Sequence, residues 1–338
     1  MCAAARTSDH DRMHDDDHQH DHLYDEVHDR LHERLHDEEP DIGTGLVRRL
    51  ISVQFPQWKG LPLAPVPIST TDNAMFRLGP ELAVRLPRAA WAAGNLAREQ
   101  YWLPRLAPHL PVPVPEPIGH GRPTAGYPWD WTVLRWQDGV TPAAGALADP
   151  IRLAHDLAGF ITALRAVQPD PDAPPAARGG PLAGRDAATR AAIGRLRGVI
   201  DTEAAATLWD KALRLPEHTG PATWTHGDLS PGNLLVNAPA PGTPGGRAVQ
   251  RLSAVLDFGL AGVGDPTVDL LPAWSLLPAA ARPAFRTALA VDDATWERGR
   301  AWALSIALVQ LPYYRTTNPP VATSARHIVR EILADRSV

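Results

Sequence analysis

An aspartate, an asparagine five residues on, and a second aspartate that leaves an apolar run stand in two nearby stretches, THGDLSPGNLLVN (Thr225–Asn237) and AVLDFGLAGVGDPTVDL. Asp228 and Asn233 cannot share a helix face, where neighbours are three or four apart. Pro231 and Gly232 between them rule out regular helix, so a loop must converge the two side chains. The LLV after Asn233 and the LSAVL before Asp257 read as strands joined by a Gly/Pro-rich insertion, NAPAPGTPGGRAVQ. Pairing those strands would bring Asp257, at the end of the second, back to Asn233, at the start of the first. The result is one carboxylate in reach of a nucleophile and an Asn–Asp pair of hard oxygens. Magnesium takes such ligands and keeps the rest of its shell for water and substrate phosphates. The chemistry indicated is phosphoryl transfer, in which positioning and charge neutralisation supply most of the catalysis.

HGDLSPGN together with LDFG resembles the catalytic and metal-binding loops of the aminoglycoside phosphotransferase family, the antibiotic-kinase branch of the protein-kinase-like fold. The resemblance runs from about Asp41 to Ala334. It implies an α+β, bilobal protein-kinase-like fold, with a small β-rich N-lobe and a larger helical C-lobe. It implies Asp228 as the catalytic base that orients the acceptor hydroxyl, and Asn233 and Asp257 as the holders of Mg2+ on the triphosphate. ATP is the implied donor, with GTP as the alternative. His226 and Asp269 would brace the catalytic loop. Asp265 followed by Pro266 reads independently as a helix start.

ELAVRLPR resembles the third strand of that fold, where a lysine is usual, yet the matching residue is Arg85. Only Lys59 and Lys211 occur in the chain, and neither lies in a suitable strand. The R-x-P-R spelling also resembles macrolide kinases of the same superfamily. Arginine is a fork rather than a point charge, and its bidentate reach suits phosphate. Glu99, on NLAREQYW, is the implied partner that fixes Arg85. STTDNAMF stands where protein kinases carry a glycine-rich lid, so Ser69, Thr70, Thr71 and Asn73 are candidate donors to the triphosphate. The linker after WTVLRW, at Arg135, Trp136 and Gln137, is the expected backbone partner of the nucleotide base.

The implied acceptor is a hydroxylated small molecule, an aminoglycoside first of all. Aminoglycosides are polycations, and Asp292, Asp293, Glu297 and Glu331 are the carboxylates available to meet them. From Val140 onward there are 18 acidic and 19 basic residues, so no global field steers a polycation. The apolar LVQLPYY could equally line a macrolide site. A small metabolite such as an amino alcohol or sugar is a further alternative. A nucleotide-binding pseudokinase is the competing class, favoured by Arg85 and the glycine-poor lid.

The elements that must position these residues follow from local patterning. LVRRLISVQF has helical spacing, and strands are expected around Val66–Ser69, Met75–Leu78 and Leu82–Leu86. AAWAAGNLAREQYWLPRLA reads as a helix, PVPVPEPIG as extended chain and DWTVLRW as a strand. Helices follow: IRLAHDLAGFITALRAV, two alanine-rich stretches over Asp186–Leu213, and most of Leu270–Ala334. PDPDAPPAARGGP between them reads as a surface loop. The expected divisions are a disordered His/Asp-rich tail at 1–40, a nucleotide-binding lobe at 41–138 and a catalytic, substrate-binding lobe at 139–338.

Of 338 residues, 44% are hydrophobic and 21% charged, ordinary for a globular protein. Residues 1–40 carry 13 acidic and 4 basic side chains against a chain total of −5, so the remainder is close to neutral. That argues against nucleic acid as a partner. In the tail, His28, His32 and His36 repeat every four residues, a spacing that could align imidazoles for a transition metal. The one cysteine, Cys2, allows neither a disulfide framework nor a cysteine zinc site. No apolar run approaches the roughly 20 residues that span a bilayer. The first 40 residues lack a signal peptide's basic-then-apolar layout, so a cytoplasmic location is expected.

Overall fold

In a computed structural model of the protein, the residues described are 40–66, 72–237, 250–316 and 318–335. The expected tail, the tip of the Gly/Pro insertion, and Ser69, Thr70 and Thr71 lie outside them. From Pro40 onward the chain forms one compact unit.

Five antiparallel strands make the first sheet: β1 (Leu63–Pro65), β2 (Asn73–Leu78), β3 (Leu82–Pro87), β4 (Pro117–Gly121) and β5 (Trp131–Arg135), in the order β1-β2-β3-β5-β4. The central strand β3 is buried along its whole length. The first described strand precedes the expected Val66–Ser69, of which only Val66 lies within the described residues; Pro62 and Pro65 suit this stretch to an edge, where missing donors are tolerated. Val66 still donates to the Met75 carbonyl at 2.9 Å. Helix α1 (Thr44–Gln54) covers one face with Leu46, Val47, Leu50 and Ile51, which meet Phe76, Val84, Leu86, Tyr127 and Trp131 in a compact apolar cluster. Trp131 is fully buried, packs edge-on against Phe55 and donates its indole N–H to the Arg122 carbonyl.

Helix α2 (Ala90–Leu106) follows β3 and carries Glu99 on its buried side. Its Trp102, Leu103 and Leu106 belong to the larger core, so α2 joins the sheet to the helices. Beyond β5 come α3 (Pro150–Ala166), α4 (Asp186–Arg195), α5 (Thr202–Ala212), the short α6 (Pro272–Ser275), α7 (Arg282–Leu289), α8 (Asp293–Tyr314) and α9 (Pro319–Ala334). Two small antiparallel pairs sit among them: β6 (Thr223–Thr225) with β9 (Gly262–Gly264), and β7 (Leu234–Val236) with β8 (Leu252–Val255). Helix α8 is buried on nearly all sides, with Trp302, Leu304, Ala307, Leu308 and Leu311 in the core. Among the described residues no helix is long and apolar enough to cross a membrane. A small antiparallel sheet followed by a larger helical part is the expected α+β arrangement.

Removing a buried aromatic ring leaves a cavity that its neighbours fill only in part. Trp131→Ala should therefore lower the unfolding free energy by about 3–5 kcal/mol, read from urea denaturation.

Candidate active site

The β7–β8 pairing sets Leu234 opposite Val255, and the Asn233 carbonyl accepts from the Leu256 amide at 2.8 Å. Asn233, at the end of the short 3-10 turn Pro231–Asn233, and Asp257, just past β8, are thereby brought together as the strand pattern predicts. The Asn233 amide NH2 donates to the Asp228 carbonyl at 2.9 Å. This closes the loop between them, and the amide oxygen has no partner among the described residues.

The loop around Asp228 is held from beneath. Asp269 is fully buried, and its two oxygens accept from the His226 and Gly227 amides, each at 2.9 Å. Buried His226 accepts from the Asp228 amide at Nδ1 (3.2 Å), so its other nitrogen, Nε2, donates to the Leu256 carbonyl (3.0 Å). One ring thus ties the Asp228 loop to the residue before Asp257. Phe258 packs edge-on against it with centroids 4.6 Å apart, and Phe160 of α3 completes the cluster. Gly227 turns at φ +83°, where a side chain would strike the Leu260 carbonyl, so only glycine fits. Asp265 caps the 3-10 turn Pro266–Leu270 by accepting from the Thr267 amide, as the Asp–Pro pair predicts.

Asp257 has its backbone in the left-handed region at φ +59°, a conformation that costs a non-glycine residue about 1–2 kcal/mol. The turn carries its carboxylate to Arg85, whose Nη2 donates to Oδ1 at 3.0 Å. The other side of the same guanidinium meets Glu99, with Nη1 2.6 Å from Oε2. The Asn73 amide, with its oxygen turned to the guanidinium, accepts from Nη2 at 3.1 Å and Nε at 3.3 Å. Arg85 is only 5% exposed. Burial alone would lower its pKa, but the Glu99 and Asp257 carboxylates raise it instead. Burial pushes the Glu99 carboxyl above its ordinary value, and the guanidinium pulls it back only in part. At Asp257, which keeps 31% of its side chain open, burial pushes up but Arg85 and the Gly259 amide prevail and hold the carboxyl below the usual aspartate range.

The structure therefore brings Asn73, Arg85, Glu99, Asn233 and Asp257 to one place, with Asp228 across the Asn233 turn. Asn73 faces inward, onto Arg85. In the linker, the Arg135 and Trp136 amides already donate to the Glu116 and Glu81 carbonyls. Gln137 keeps the backbone N–H that no other described residue takes. The Arg135 side chain pairs with Glu116 at the surface, and the Trp136 ring lies 3.8 Å beneath Arg77. Each of the four carboxylates considered for a polycation has a partner in the fold, though Asp292 and Asp293 stand at the surface. Asp293 pairs with Arg286, Glu297 with Arg300, and Glu331 with Arg282, while Asp292 caps α8 through the Thr295 amide. In LVQLPYY, Leu308, Leu311 and Tyr314 belong to the core.

One charged residue at the site escaped the sequence reading. PDPDAPPAARGGP is not simply a surface loop: its end packs on β9 and sets Arg178 beside Asp228, with Nη1 3.5 Å from Oδ2. The Gly-Gly after Arg178 was the available signal of a close approach.

Residues 65–302 match the Phosphotransferase enzyme family. The chain belongs to that family. Three solved structures resemble the phosphotransferase in fold. The GDP and kanamycin complex of APH(2")-IIia superimposes with a TM-score of 0.66 at 19% identity, covering 86% of this chain and 99% of that one. The streptomycin–ATP–APH(2")-IIa ternary complex gives 0.55 at 14% identity, covering 86% and 97%. The apoenzyme of macrolide 2'-phosphotransferase MphH from Brachybacterium faecium gives 0.53 at 22% identity, covering 84% and 97%. No curated protein sequence matches the chain.

The depressed Asp257 carboxyl makes stability depend on pH in a definite direction. A carboxyl whose folded pKa lies below its ordinary 3.8 adds stability above that value and loses it as pH falls through the folded one. Wild type should exceed Asp257→Asn in urea midpoint at neutral pH, with the gap closing as pH drops from about 5 to below about 3.

Proposed function

We propose that the phosphotransferase moves the terminal phosphoryl group of a magnesium-bound nucleoside triphosphate, ATP first and GTP second, to a hydroxyl of a small molecule. The observation that carries this reading is the convergence of Asp228, Asn233 and Asp257 beside a buried, charge-balanced Arg85. The donor set fits magnesium: the Asn233 amide oxygen and the second oxygen of Asp257 are hard ligands, and two protein ligands are what a phosphate-bound magnesium ordinarily takes. When bound, that ion would neutralise charge gathering on the phosphates.

The residues of the chain supply the rest. Asp228, 25% exposed and backed by rigid backbone contacts, would accept the hydrogen bond of the acceptor hydroxyl and fix its line of approach. Glu99 and Asn73 hold the Arg85 fork in one orientation, so its charge would meet the phosphates without reorganisation. The Gln137 N–H is the linker donor we assign to the base, and Ser69, Thr70 and Thr71, outside the described residues, would supply hydroxyl and backbone donors to the phosphates.

An aminoglycoside acceptor is supported by the kanamycin- and streptomycin-bound relatives and a macrolide acceptor by the other. Neither gains support from the carboxylates or the apolar helix segment considered for them, which the fold already uses.

Phosphate transfer from labelled ATP to aminoglycoside, macrolide, sugar and amino-alcohol acceptors tests the reading. Asp228→Ala should cut kcat by about a thousandfold or more while magnesium–nucleotide affinity stays within about threefold. Transfer at an unchanged rate in that variant would refute the assignment.

A further inference from the structure

The loop that delivers Arg178 is built into the site. The Ala176 amide donates to the Val263 carbonyl at 3.0 Å, and the Val263 amide donates back to the Pro174 carbonyl at 2.8 Å, so a single parallel bridge at Pro175–Val263 ties the loop to β9. Gly262 permits this approach, since a side chain there would collide with the Pro175 and Ala176 backbone. Gly179 turns at φ +100° against the Asp265 carbonyl, and the Trp302 indole N–H holds the Gly180 carbonyl at 3.2 Å. Fixed on both sides, Arg178 reaches the catalytic loop with one nitrogen. Its Nη1 donates to the Gly227 carbonyl at 3.3 Å and lies 3.5 Å from Asp228 Oδ2. Nε and Nη2 have no partner among the described residues, and the side chain is 20% exposed.

We propose that Arg178 positions Asp228 and sets the charge of the acceptor, so that the enzyme phosphorylates hydroxyls flanked by neutral or anionic groups rather than by ammonium groups. This rests on the assignment of Asp228 as the residue that receives the acceptor hydroxyl. With Oδ2 facing the guanidinium, Oδ1 is the oxygen left for that hydroxyl. Any group next to the reacting carbon then comes within a few ångströms of a fixed positive charge. An ammonium lying against the Nε and Nη2 edge is repelled by the guanidinium, a repulsion that the Asp228 carboxylate offsets in part and that salt screens further. A hydroxyl or carboxylate at the same place gains an N–H donor. The nearest counter-charge, Asp228, meets the guanidinium on its Nη1 side only and leaves Nε and Nη2 facing the acceptor.

The test compares wild type, Arg178→Gln and Arg178→Lys on four acceptors: an aminoglycoside, a macrolide with an amino group beside its hydroxyl, a neutral sugar and a hydroxy acid. Product mass identifies transfer, kcat and KM are separated for each acceptor, and calorimetry reports magnesium–nucleotide binding on the same proteins. Wild type should favour the neutral or acidic acceptor in kcat/KM. Arg178→Gln should raise KM for it and shift the neutral-to-cationic ratio by about tenfold or more toward the cations, with kcat also reduced. Arg178→Lys should restore the charge preference but not the full kcat, since a point charge lacks the fork that spans Gly227 and Asp228. A wild-type preference for the cationic acceptors, or a ratio that Arg178→Gln leaves unmoved, overturns the proposal. So does transfer to none of the four by an enzyme that still binds magnesium–nucleotide, a result that leaves the nucleotide site standing. Absence of nucleotide binding overturns the broader assignment as well.

Discussion

A guanidinium shut away from water must be neutralised where it lies, and in this protein that requirement falls on Arg85. Arg85 stands on β3, and its partners come from three other segments: Asn73 at the start of β2, Glu99 on α2 and Asp257 after β8. Removing one partner of such a pair strands a buried charge and costs about 3–5 kcal/mol. The sheet, the joining helix and the loop after β8 are therefore not free to drift apart. Arginine suits this role better than lysine, because a planar fork can satisfy three partners at once while an ammonium would leave its geometry undefined.

Fixed partners likewise hold the loop around Asp228. Asp269 receives two buried amides that would otherwise lack acceptors, and His226 uses both ring nitrogens to link Asp228 to Leu256. With Phe258 and Phe160 packed against that ring, the loop has few alternative conformations. Such rigidity is what phosphoryl transfer requires of a protein, since the chemistry depends on where groups stand when charge develops.

Much of this was legible in the amino-acid order. Asp228, Asn233 and Asp257 are fixed by short-range features: a Pro-Gly turn between the first two and paired apolar strands leading to the third. The α+β sequence of strands and then helices follows from periodicity. What the order could not disclose are contacts made by tertiary packing. Asp293, Glu297 and Glu331 show their charges in the sequence but not the arginines that neutralise them. The Arg178 loop, rich in proline, has the composition of a surface segment, and small residues on β9 let it pack beside Asp228. Asn73 reads as a turn donor, yet the sheet register opposite Pro87 turns it inward onto Arg85.

The central claim is that Asn233 and Asp257 jointly hold a divalent ion against a triphosphate. Electron paramagnetic resonance of Mn2+ with a non-hydrolysable ATP analogue measures this directly. The account predicts that Asn233→Ala and Asp257→Asn each weaken Mn2+ binding to the nucleotide complex by about tenfold or more, in folded proteins that still bind the analogue. Mn2+ affinity and spectrum indistinguishable from wild type in both variants would contradict it.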